Sequence, residues 1–133
     1  MNKERVLKLI EDVLIKDERV VFAYAFGSFL KDEPFRDIDI GIYIKDPQVN
    51  PFIISSDLKT EISRLSKQKQ MDFDADQFDV RVVNDAPFTF LFRVFTEGKL
   101  LLDRDSDLRT DVIEQVSLKY RECTGLLAEA SLL

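Results

Sequence analysis

Histidine and tryptophan are both missing from this chain of 133 residues, and cysteine occurs once, at Cys123. The lack of histidine excludes Ser-His-Asp triads, imidazole acid–base relays and histidine-rich zinc sites. With one thiol there is neither an internal disulfide nor a multi-cysteine metal centre. Any chemistry must rest on carboxylates, metal ions, serine, lysine, arginine or tyrosine. Positive charge is also scarce: 19 Lys and Arg stand against 25 Asp and Glu, a net charge of −6. A nucleic-acid surface needs basic residues to neutralise phosphates, so direct nucleic-acid binding is disfavoured. No apolar run approaches the ~20 residues that span a bilayer. The opening Met1-Asn2-Lys3-Glu4-Arg5 begins a charged amphipathic segment, not a signal peptide. A cytoplasmic protein with no membrane partner is expected.

What remains is an ordinary globular mixture, 45% hydrophobic and 33% charged, with 11 phenylalanines to supply aromatic core volume. At 15.4 kDa it is one domain in size, residues 1–133, and long enough for a genuine core. There is no internal repeat or low-complexity tract.

Periodicity sets the order of elements. Val6, Leu9, Ile10, Val13 and Leu14 fall on one face of a predicted helix over residues 3–16. Residues 19–26 are almost continuously apolar, as in a strand covered on both faces. A linker, Phe29 to Arg36, has room for one helical turn, and Pro34 bars a longer one. A second strand spans 37–45. A second helix follows the loop at Pro47 and Pro51 and runs to about Lys69, with Ile54, Leu58, Ile62 and Leu65 as its stripe. Ser55 or Ser56 is the alternative, later cap. Beyond an acidic loop holding Asp72, Asp74 and Asp76, a third strand covers 78–83. Phe88 to Glu97 is apolar nearly all round and predicts a buried helix. Gly98 stops it, Lys99–Asp103 forms a fourth strand, and Ser106 or Asp107 caps a last helix. Down that helix run Leu108, Val112, Val116, Tyr120 and Cys123, and Gly125 is expected to end or fray it. Together these elements describe an α/β (α+β) domain with a short mixed sheet flanked by helices.

The informative stretch is Gly27-Ser28 followed by Asp37-Ile38-Asp39. Aspartates at i and i+2 of a strand point to one side, so Asp37 and Asp39 converge while Ile38 and Ile40 face the other way. Paired carboxylates repel unless a cation lies between them, and Mg²⁺ is the hard, oxygen-seeking candidate. Gly27-Ser28, at the end of the preceding strand, offers a tight turn, backbone N–H groups and a hydroxyl, the parts a phosphate needs. Metal beside phosphate cradle suggests metal-assisted nucleotidyl transfer. Solvated aspartates at a strand start are the bland alternative, but aspartate is disfavoured inside strands, and Asp39 sits between two isoleucines. A third carboxylate is best sought at Asp79, between Phe78 and Val80; its plainer role is an ion pair with Arg81. Asp72, Asp74 and Asp76 are the competing source. Tyr24 and Tyr43 are expected in the core with satisfied hydroxyls, and Cys123 as a buried small hydrophobe.

This constellation resembles the signature of the polymerase-β-like nucleotidyltransferases, and in detail the minimal nucleotidyltransferase (MNT) antitoxins. The apolar strand before Gly27, the Phe78-Asp79-Val80 triplet and the Glu97-Gly98-Lys99-Leu100-Leu101 run extend the likeness over residues 2–120. The resemblance implies a nucleotidyltransferase fold in which Asp37, Asp39 and Asp79 are catalytic and hold Mg²⁺, two ions in all. It implies that Gly27 and Ser28 grip ATP. The spacer before Asp37 lacks the family's glycine, and Lys31 and Arg36 are expected to replace its phosphate-binding base. The partner implied is a HEPN-domain toxin, neutralised by transfer of AMP to a hydroxyl, a tyrosine. Two alternatives stand beside this one: a non-catalytic antitoxin of the same fold that works by complex formation, and transfer to a small hydroxylated substrate. The last wants an additional substrate-binding domain, for which 133 residues leave little room.

Overall fold

The computed structural model describes residues 3–31 and 37–130. Four strands, β1 (Val20–Phe26), β2 (Ile38–Ile44), β3 (Phe78–Val82) and β4 (Lys99–Asp103), form one sheet in the order β3-β2-β1-β4. β1 pairs antiparallel with both β2 and β4, while β2 and β3 run parallel. The mixed sheet is as expected. Its central position explains why β1 is apolar on both faces.

Each face carries two helices. On one side α1 (Lys3–Leu14) and α3 (Pro51–Gln68) press Val6, Leu9, Ile10, Ile54, Leu58 and Ile62 onto Ile38, Ile40, Ile42, Phe78 and Val80. On the other side α4 (Phe88–Glu97) and α5 (Ser106–Ala130) cover Val21, Phe22, Tyr24 and Val83. A register irregularity between Val20 and Phe22 lets two successive residues, Val21 and Phe22, join this second cluster. Phe22 stacks on Tyr43 at 4.8 Å between ring centroids, and Phe92 of α4 stacks on Tyr120 of α5 at 3.8 Å. A short helix, α2 (Ser28–Lys31), fills the one turn allowed after Gly27.

Several boundaries differ from expectation for identifiable reasons. α1 ends at Leu14 rather than residue 16, because Lys16 and Asp17 turn back to the carbonyls of Val13 and Leu14. There the Arg104 guanidinium caps the carbonyls of Leu14 and Ile15. α3 follows directly on the loop as expected, starting at Pro51, and only the alternative later cap at the serines is excluded: Asn50 accepts from the Phe52 N–H at 2.9 Å and Pro51 occupies the first turn. Neither Ser106 nor Asp107 caps α5; Asp105 does, accepting from the Leu108 N–H at 3.0 Å. Nor does Gly125 end that helix, which continues to Ala130. α4 is not buried all round. Only Leu91 and Val94 are fully covered, and its phenylalanines are half-buried because α5 shields one flank alone. Cys123 is half-buried rather than enclosed. Tyr24 meets its expectation: it is buried, with its hydroxyl accepting from Arg109 at 3.1 Å.

Candidate active site

Strand alternation sorts the residues near Gly27 into two sets. Ile38, Ile40, Phe78 and Val80 go down into the α1/α3 core. Phe26, Asp39, Asp79 and Arg81 are left on the opposite face, the one that carries α4, where Phe26 meets Phe90. The parallel register then sets Asp39 against Asp79, and the antiparallel register sets Phe26 against Asp39. Two carboxylates from distant parts of the chain thus meet side by side at the end of β1.

Gly27 is the pivot of this end. Its φ of +82° lies in the left-handed region, and a Cβ there would stand 2.3 Å from Asp39 Oδ2. Only glycine allows β1 to turn into α2 with its backbone against that carboxylate. The Gly27 carbonyl accepts from the Leu30 N–H at 3.2 Å, which starts the helical turn, and Ser28 is exposed at its head.

Electrostatically the site is short of positive charge. The Asp39 carboxyl is held above its ordinary range, first by burial, then by the charge of Asp79; Arg81 opposes the shift and Asp37 adds to it. Arg81 Nε donates to Asp79 Oδ2 at 3.0 Å. The ion pair that was the plainer reading of Asp79 therefore exists, alongside the carboxylate pairing. Asp37 is exposed just ahead of β2. So Asp39 and Asp79 are brought together and Asp37 acts on Asp39 through its charge. Among the described residues no three acidic, cysteine or histidine side chains are gathered as metal ligands, and Asp79 is paired with Arg81. In chemistry the set still suits Mg²⁺: the donors are carboxylate oxygens alone, and their mutual repulsion is what a divalent cation relieves.

Other expected residues fall elsewhere. Arg36 and the Lys31 side chain lie outside the described residues. Asp72, Asp74 and Asp76 are exposed on the loop before β3, where the Asp74 N–H donates to Gln77 Oε1 at 2.9 Å. They take no part in the site. What sequence reasoning missed is Arg93. A cleft of about 300 Å³ opens beside Gly27 and Ser28, lined by Phe26, Phe90, Arg93, Val94 and Glu97. The available signal was that Arg93 is the one charge within Phe88–Thr96. A larger cleft of about 670 Å³, lined by Glu18, Tyr43, Asn84 and Arg104 among others, lies at the opposite end of the sheet, away from the carboxylates.

A family model described as polymerase beta, nucleotidyltransferase, matches residues 8–107, three quarters of the chain. The chain belongs to this family. Its nucleotidyltransferase fold is shared with solved MNT antitoxin structures. One is the complex of a tri-AMPylated HEPN toxin from Shewanella oneidensis with its MNT antitoxin. It is 18% identical, with a TM-score of 0.57, over 93% of this chain and 94% of that one. Another, a toxin–antitoxin with AMP-PNP, is 20% identical with a TM-score of 0.57 over 98% and 95%. A mutant of the MntA–HepT toxin–antitoxin reaches 22% identity and a TM-score of 0.62 over 98% and 94%. No curated protein sequence matches at a significant level. Among the described residues no helix is long and apolar enough to cross a membrane.

Proposed function

We propose that this chain transfers AMP from ATP to a hydroxyl, a tyrosine, of a HEPN-type toxin and thereby acts as its antitoxin. The observation that carries the proposal is the meeting of Asp39 and Asp79 against Gly27 in a chain of the nucleotidyltransferase family. Support for the partner comes from the structural neighbours, one with a tri-AMPylated toxin and one with AMP-PNP. In the reaction the acceptor oxygen bonds to the α-phosphorus and the bond to pyrophosphate breaks. Gly27 and Ser28 hold the phosphate chain through N–H groups and the hydroxyl. Asp79 takes the acceptor's proton once it leaves Arg81. Asp37, Asp39 and Asp79 would hold Mg²⁺, which when bound makes the hydroxyl more acidic and offsets charge on the departing pyrophosphate.

One observation favours the second reading, neutralisation by complex formation alone: Asp79 is already engaged by Arg81. The two separate cleanly with α-labelled ATP, Mg²⁺ and the chain with and without its co-purified partner. Label on the partner that disappears with Asp37→Asn or Asp39→Asn establishes transfer. A stable complex that carries no label, and mutants that still neutralise the partner, would leave binding as the mechanism.

A further inference from the structure

The cleft beside Gly27-Ser28 has an apolar floor made by Phe26, Phe90 and Val94, and Arg93 lines it from α4. Phe26 and Phe90 meet edge to face at 5.4 Å, so this floor is packed aromatic surface. Arg93 is exposed, and its guanidinium has no hydrogen bond or ion pair among the described residues. An exposed arginine on a helix is ordinarily just a solvated charge. Here it is the lone charge on an otherwise apolar and hydroxyl segment, and it lines the same small cleft as the turn that carries Ser28.

The charge balance makes that position consequential. Asp37, Asp39 and Asp79 are all negative, and a nucleotide's phosphates add more of the same sign. Arg81 is committed to Asp79 at 3.0 Å. Among the cations whose side chains are described, Arg93 is the one in the cleft of Gly27 and Ser28. A guanidinium also suits the task, since its planar fork donates two parallel hydrogen bonds to phosphate oxygens.

We infer that Arg93 is a phosphate-binding residue. From α4 it grips the phosphate chain of a nucleotide whose other side lies on Gly27 and Ser28, an inference that rests on the nucleotidyl-transfer reading above. Because Arg93 is exposed and its guanidinium bonds to no described residue, its replacement leaves the fold intact, and unchanged melting temperatures for the variants verify this.

The test is displacement of a fluorescent ATP analogue, in Mg²⁺ buffer, by ATP and by inorganic pyrophosphate. It compares the wild type with Arg93→Ala and Arg93→Lys. Arg93→Ala should weaken both competitors by roughly 10–100-fold, the loss of a charge-assisted bond, and Arg93→Lys should restore part of it. Wild-type affinity in Arg93→Ala overturns the inference while leaving the nucleotidyl-transfer reading intact. A loss for ATP with none for pyrophosphate also overturns it, because Arg93 then contacts the base or sugar. A wild type that binds no analogue at all overturns both.

Discussion

Replacing Gly27 by alanine puts a methyl group where the structure has an oxygen: the new Cβ would stand 2.3 Å from Asp39 Oδ2 and 3.3 Å from its Cγ. Two costs follow, and they can be separated. The backbone cost is that of holding an L-residue at φ +82°, about 1–2 kcal/mol. The steric cost is met by Asp39, whose carboxylate must swing away from the turn, toward Asp79. A displacement on the order of 1 Å in a positioned catalytic group lowers rates by ~100-fold. Gly27→Ala should therefore lose about 1–3 kcal/mol in urea unfolding and on the order of 100-fold in transfer of label from ATP. Adding Asp39→Ala removes the clash and leaves only the backbone cost, so the double mutant should recover at least about 0.5 kcal/mol relative to additivity. Gly125→Ala is the control. Nothing lies within 4 Å of a Cβ there, and in a helix interior alanine should stabilise by about 0.5–1 kcal/mol. Wild-type transfer by Gly27→Ala, or equal destabilisation at both glycines, would refute the reasoning.

Asp39→Asn should stabilise the metal-free protein while abolishing transfer. A carboxyl raised above its ordinary 3.8 binds its proton more tightly when folded. Its contribution is full below the unfolded value and is lost as pH rises through the folded one. The mutant should accordingly melt ~2–5 °C higher at pH 7, with the gap closing near pH 3, and a lower melting temperature at pH 7 would contradict it. Ser66→Ala probes a buried polar contact: Ser66 Oγ donates to the Ser63 carbonyl at 2.7 Å and accepts from the Phe73 N–H at 3.0 Å. Leaving that N–H unpaired should cost about 1–3 kcal/mol in urea unfolding, and a change under about 0.5 kcal/mol would show that water replaces the hydroxyl.

How much of this was legible follows from what periodicity can and cannot see. The stripes of α1 and α3 were visible because burial on one face imposes a period that local sequence records, and the strands because they are short apolar runs bounded by turn residues, β1 being apolar on both faces. Caps were not, because several residues compete for each one. Asn50 wins over Ser55 since Pro51 needs no N–H and fits a first turn, and Asp105 wins over Ser106 by reaching the Leu108 N–H. Gly125 misled because an interior glycine costs only ~1 kcal/mol, too little to stop a helix of 25 residues. Ser63 and Ser66 are buried polar residues of α3 that periodicity does not single out. Their burial comes from Phe73, whose backbone folds back over α3 and takes both hydroxyls. Arg93 needed α4 to be laid beside Gly27, which is tertiary information.

The site itself depends on register, and register is where sequence falls silent. Alternation shows that Asp39 and Asp79 oppose their apolar neighbours, but not that they oppose each other. Pairing of Ile38 with Phe78 brings this about, with Ile40 against Val80 and Ile42 against Val82. A slip of one residue along β3 would turn either the isoleucines or the Phe78 and Val80 side chains out of the core and send a carboxylate in. Asn84 pins the far end of the same strand pair, accepting from the Ile44 N–H at 2.9 Å and donating to the Ile44 carbonyl at 3.0 Å. Apolar burial on one face therefore forces two negative charges together on the other. Repulsion between partly exposed carboxylates, roughly 1 kcal/mol at high dielectric, is small beside the burial of a single isoleucine, about 1.5–3 kcal/mol. The carboxylate pair persists because the hydrophobic core beneath it outweighs it, and Arg81, two residues along the same face, absorbs part of the remaining charge.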